Sequence, residues 1–171
     1  WYGALFTLRC LAGKYEFCCM DEKGPLKDPI NLTFPILLNY MQNVLVPMCT
    51  PQPDTPFNPP LEVAELLKLI CKIFYSSTYT QPFPELLHNP DVFMAWMAQF
   101  LQLLRMPVPT EGEPEDPELC KNWGWWKLKK WVRHVFNKMC NLFDNKKSTK
   151  GTWKAELGER FRQQCVGQLL E

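Results

Sequence analysis

Apolar positions recur at spacings of three and four in six stretches of this chain, each long enough to form a helix. The first, residues 1–17, sets Leu5, Leu8, Leu11, Ala12 and Tyr15 on one face, and the run Asp21-Glu22-Lys23-Gly24-Pro25 ends it. The second, residues 30–48, carries Phe34, Leu37, Leu38, Met41, Leu45 and Met48 in a stripe. Its Pro35 is tolerable only near a first turn, which moves the expected helix start to residue 34. The third, residues 60–79, opens with Pro60 at the first helical position and continues Val63, Leu66, Leu67, Ile70 and Phe74. The fourth starts at Asn89-Pro90-Asp91, a capping residue followed by proline. It runs through Phe93, Trp96, Met97, Phe100, Leu101 and Leu104 until Pro107 and Pro109 stop it. The fifth, residues 122–143, aligns Leu128, Val132, Val135, Phe136, Met139 and Phe143, with Lys127, Lys130, Arg133, His134, Asn137 and Asn141 on another face. The sixth follows a polar run that ends at Gly151, and spaces Trp153, Leu157, Phe161, Cys165 and Leu169 four apart. No period-two run and no Asn-Gly or Asp-Gly turn is present, so the pattern predicts an all-α chain.

The connections alternate in kind. Residues 49–60 hold Pro51, Pro53, Pro56, Pro59 and Pro60, which exclude regular structure and predict a stiff surface loop. Residues 107–121 form a second loop, whose acids are Glu111, Glu113, Glu115, Asp116 and Glu118. The expected organisation is a hairpin over 1–48, a proline loop over 49–59, a hairpin over 60–106, an acidic loop over 107–121 and a hairpin over 122–171. Successive hairpins start about 60 residues apart, longer than the 40–47 of a compact HEAT or armadillo unit by the length of these loops. Long insertions between regular helix pairs suit a solenoid, where they project from one face, better than a bundle with short, even connections.

Composition narrows the function. Apolar residues at 46 % and charged residues at 22 % exclude a disordered chain. No apolar run approaches the 20 or so residues that span a bilayer, and neither an initiator Met nor a basic leader is visible. Both ends lie within helical periodicity, as expected of a piece of something longer. The net charge of +1 conceals a split: residues 1–120 hold 7 basic and 14 acidic residues, residues 121–171 hold 12 and 4. Two surfaces of opposite sign suit charged macromolecular partners. Of the eight cysteines, most sit in helical apolar patterns, as Cys71 does between Ile70 and Phe74, where a reduced thiol packs as a small hydrophobe. No C-x-x-C pair exists, and His88 and His134 are too far apart to complete a zinc site. Catalysis has no support either. Cys140 and His134 are six positions apart on one helix and so on different faces, and there is no glycine-rich phosphate loop or G-x-S-x-G elbow. No enzyme activity, cofactor or small-molecule substrate is expected.

One string is more specific. Pro117-Glu118-Leu119 and then Trp125-Trp126-Lys127-Leu128-Lys129-Lys130-Trp131-Val132, reached through an acidic stretch, resembles the importin-7/importin-8 branch of the importin-β (karyopherin) superfamily of nuclear import receptors. Ile70 to Tyr75 and Leu5 to Tyr15 are similar to the same branch, in the same order. Cys120 to Gly124 departs from that pattern as an insertion and leaves the start of the fifth helix open. The resemblance implies a right-handed HEAT-repeat α-solenoid segment of about three hairpins, from around the fourth to sixth repeats of a longer superhelix. It implies protein cargo, Ran GTPase and Phe-Gly nucleoporins as partners, and residence in cytoplasm and nucleus with passage through the nuclear pore. In such receptors the first helix of each pair faces outward and the second inward, and an apolar slot between outer helices accepts a phenylalanine. The third and fifth helices would supply that slot here. The partner-binding candidates are Glu111, Glu113, Glu115, Asp116 and Glu118 for a basic cargo tail, with Trp126, Lys127, Lys130 and Arg133 on the basic helix.

Other readings of these residues stay open. The fold serves equally as a HEAT scaffold unrelated to transport. Trp125 to Arg133 also reads as a calmodulin-type or membrane-surface helix, or as a site that stacks bases on tryptophans and pairs phosphates with lysines. The simpler expectation is that the tryptophans pack between repeats while the lysines form a solvated face, without nucleic-acid binding or membrane insertion. The acidic loop reads equally as a solubilising linker.

Overall fold

In the computed structural model the described residues are 2–18, 27–51, 57–78, 83–144 and 152–167, without the side chains of 13–18, 27–31, 152 and 153. The turn expected at 21–25, Pro53 and Pro56, most of the polar run before Gly151, the side chains of Tyr15 and Trp153, and Leu169 lie outside them. Helix α1 spans Tyr2–Cys18. Helix α2 spans Lys27–Tyr40 and continues through one wide π-type turn, Met41–Leu45, into Val46–Met48. Helix α3 is Leu61–Ser77, and a short 3-10 turn, Glu85–His88, leads into α4, Pro90–Arg105. A single helical turn, Pro117–Cys120, precedes α5, Gly124–Asp144. Helix α6 is Thr152–Phe161, extended by a π-type turn, Arg162–Val166. No strand occurs among the described residues, and no helix there is long and apolar enough to cross a membrane.

Local chemistry explains the start of α4. Asn89 caps α4, its Oδ1 accepting from the amides of Asp91 at 2.9 Å and Val92 at 3.3 Å, with Pro90 at the first helical position. Helix α2 departs from expectation. It starts at Lys27, not at 34, and holds Pro35 in its interior. A proline there forgoes one backbone hydrogen bond, a loss that tertiary packing offsets because Phe34 and Leu37 beside it are buried while Pro35 faces outward.

The helices form two layers. In one, α3 lies between α1 and α5 and packs against both; in the other, α4 packs against α6. An aromatic seam joins them. Phe34 of α2 lies 5.5 Å from Trp96 of α4 and 6.1 Å from Phe74 of α3, and Phe74 meets the edge of Phe100 at 5.0 Å. The seam continues from Phe93 to Phe161 of α6 at 6.3 Å, and from Phe161 to Phe136 of α5 at 6.1 Å. Phe34, Phe74, Trp96 and Phe100 are all essentially inaccessible, each phenylalanine worth roughly 1.5–3 kcal/mol of burial. The start of α5 lies close to α3: a Cβ on Gly124 would sit 2.7 Å from Leu61 Cδ1, an exposed side chain that would have to shift.

Candidate partner-binding surface

The acidic loop is a structured connection on the described surface. Asp116 caps the helical turn Pro117–Cys120, accepting the Glu118 amide at 2.8 Å. Glu118 pairs with Lys121 at 2.5 Å, and Glu111 accepts from Asn58 Nδ2 at 2.6 Å, joining the proline loop to the acidic one. Glu113 accepts the indole N–H of Trp126 at 2.8 Å and the Cys120 thiol at 3.1 Å. These two donors, the tryptophan first, hold its carboxyl below the usual carboxylate range. The loop therefore docks on α5 through a tryptophan rather than a lysine. Glu115 is exposed, and among the described residues Lys127, Lys130 and Arg133 form no ion pair with the loop.

The three tryptophans of α5 have separate roles. Trp125 is buried, Trp126 is exposed at the loop, and the half-buried Trp131 meets the edge of Tyr75 of α3 at 5.7 Å. Lysine 129 corrects the expected solvated face. It is buried, and its ammonium donates to the carbonyls of Leu103 at 2.7 Å, Leu104 at 2.8 Å and Met106. Those are the last carbonyls of α4, which lack helical partners, so the lysine closes the helix end as a cap from the next repeat. Burial, with Arg133 as a like charge, pulls its ammonium down to about 8. The signal for this residue was in the sequence: Lys129 falls four after Trp125, three before Val132 and seven before Phe136, on the apolar stripe. The rest of that stripe, Leu128, Val132, Val135, Phe136 and Met139, is buried in the core, so α5 cannot offer its apolar face to a calmodulin-type clamp while folded.

Between α3 and α5, Tyr75, Thr78, His134, Asn137, Lys138, Asn141 and Leu142 line a recess of about 370 Å³ of mixed polar and apolar surface, to which α5 turns its hydrophilic edge. An apolar depression of about 430 Å³ lies where Tyr2, Tyr40, Leu61 and Leu66 converge from α1, α2 and α3. Cys10, Cys49, Cys71, Cys120, Cys140 and Cys165 are free thiols, and burial raises Cys49 to about 12, Cys165 to about 11 and Cys71 well above the usual range. Among the described residues no group of His, Cys, Asp and Glu could hold a metal ion.

This arrangement was compared with known proteins. No family model matches the chain, and no solved structure matches it with significance. Among curated proteins, the importin beta-like SAD2 homolog of Arabidopsis thaliana is 44 % identical over 170 residues, which is 99 % of this chain. The chain is importin-like. Importin-8 of Homo sapiens is 31 % identical over 79 % of the chain, and the nonsense-mediated mRNA decay protein 5 of Saccharomyces cerevisiae is 30 % identical over 96 %. The chain spans 15 % of the length of the Arabidopsis and yeast proteins and 12 % of the human importin-8. An importin-like chain with two layers of paired helices is an all-α HEAT-repeat solenoid segment.

Proposed function

We propose that this importin-like chain works as part of a nuclear transport receptor that takes protein cargo between cytoplasm and nucleus, with Ran GTPase and Phe-Gly nucleoporins as its other partners. The observation that supports the reading best is the 44 % identity to an importin beta-like protein across 99 % of the chain. The chemistry agrees with it: helix faces, loops and shallow depressions make a surface for binding, and affinity would come from many modest contacts spread over both layers. Glu111, Glu115 and Glu118 on the acidic loop would meet a basic cargo tail, with Glu113 and Asp116 holding the loop's shape. Trp126, Lys127, Lys130 and Arg133 would flank them on α5. A nucleoporin phenylalanine would enter the apolar depression at Tyr2, Leu61 and Leu66.

The test is retention of the 171-residue chain on immobilised Phe-Gly repeats. Retention, reduced at least about fivefold by Leu66→Glu, is expected. A HEAT scaffold unrelated to transport passes through unretained, and that result rejects the nucleoporin assignment. For the loop, replacing Glu111, Glu115 and Glu118 with Ser should weaken binding of a basic cargo peptide. Unchanged affinity leaves the loop a linker.

A further inference from the structure

Across the layer formed by α1, α3 and α5 runs a row of basic side chains. Lys72 of α3 lies over the Trp131 ring at 5.0 Å, and Lys138 of α5 lies over the Tyr75 ring at 4.8 Å. The two rings meet edge to face, so cations and aromatics interlock across the α3–α5 seam. Beside them His134 packs against Trp131 at 5.4 Å. Burial lowers the Lys72 ammonium, and Arg9 of α1, Lys68 of α3 and Lys127 of α5 add to it as like charges. Among the charges acting on Lys72, Glu65 alone opposes this, and its carboxylate is already paired with Lys68. Lys72 thus stands among cations of three helices. At one end of the row Tyr75, His134 and Lys138 also line the recess of about 370 Å³ that reaches Asn141.

We propose that this basic seam is a docking site for an extended acidic segment of a partner protein. Lys72 and Lys127 would meet its carboxylates, and the recess at Asn137 and Asn141 would take a hydrogen-bonding side chain. Lysines held together against their mutual repulsion are preorganised for a polyanion, because the partner's charge relieves a cost already present in the folded chain. The geometry favours acidic peptide over single-stranded nucleic acid. Base stacking needs an open aromatic face, whereas Trp131 and Tyr75 each carry a lysine ammonium and Trp125 is buried. The aromatic rings here position cations instead.

The probe is a fluorescein-labelled peptide of about twelve Glu and Ser residues, titrated into the full 171-residue chain by anisotropy. Saturable binding is expected, weakening at least about tenfold between low and physiological salt. Lys72→Gln with Lys127→Gln should weaken it about tenfold or more, while Arg160→Gln with Arg162→Gln, on α6 in the other layer, should change it less than about threefold. Lys72 also supports Trp131, so a second measurement avoids mutation: the same peptide carrying a photo-crosslinker must label residues of α3 and α5 in the unaltered chain. Four results would each overturn the proposal: no saturable binding, equal losses in the two double variants, crosslinks elsewhere, or a uridine dodecamer binding as tightly as the peptide. Binding displaced by self-association of the chain, measured by sedimentation, would assign the seam to a second copy and also contradict it.

Discussion

At the scale of single residues, Lys129 matters most to the fold. Its three carbonyl acceptors close the end of α4, and its stem threads between repeats. Lys129→Met keeps the stem but leaves those carbonyls without a donor, which should cost about 2 kcal/mol in urea unfolding, against less than about 0.5 kcal/mol for the exposed Lys130→Met. The pH dependence has a definite sign. Folded Lys129 releases its proton near 8 and the unfolded chain near the ordinary 10.5, so between these values the unfolded state holds more protons. The stability of the wild type relative to Lys129→Met should therefore rise with pH across that window and be flat below it. A difference that falls as pH rises would contradict the burial of this lysine. Trp126 has a more local role: Trp126→Phe removes the donor to Glu113, and amide exchange at Glu113 to Cys120 should speed up while exchange in α4 stays unchanged. Neither role could be read from composition. A lysine in a basic string suggests solvent, and only its place on the apolar stripe says otherwise.

At the scale of helices, the apolar period carried most of the information. Phe74, Trp96, Phe93 and Phe136 lie on predicted stripes and meet in the seam between layers. The cap at Asn89 was legible because its geometry is local. The start of α2 was not, since a proline rule weighs only the backbone bond lost, whereas Phe34 packing against Phe74 and Trp96 decides the outcome. Nor was the loop's attachment to Trp126, set by side chains 13 positions apart. Phe74→Ala empties the point where α2, α3 and α4 meet and should cost about 3–5 kcal/mol, while the exposed Phe6→Ala should cost less than about 0.5 kcal/mol. Equal costs would mean that the seam is not the core.

At the scale of the whole molecule, the charge split between the two parts of the chain becomes a surface pattern, with a loop rich in acids at one end of α5 and a cationic seam along its side. The layer of α1, α3 and α5 is also unevenly covered. Tyr2, Phe6 and Leu11 of α1 and Leu32 and Ile36 of α2 are exposed, and a groove of about 490 Å³ separates these two helices. Apolar area of that kind promotes association, so the chain should sediment with a concentration-dependent mass that Leu32→Ser with Ile36→Ser lowers. In a solenoid each helix pair leans only on its neighbours. Double-mutant cycles test it directly. Phe34→Leu with Phe74→Leu, whose rings lie 6.1 Å apart on adjacent pairs, should couple by about 0.5–1.5 kcal/mol. Leu5→Ala on α1 with Phe161→Leu on α6 should be additive within about 0.3–0.5 kcal/mol. A coupling between Leu5 and Phe161 as large as that between Phe34 and Phe74 would mean that the outermost pairs touch, and would contradict the solenoid.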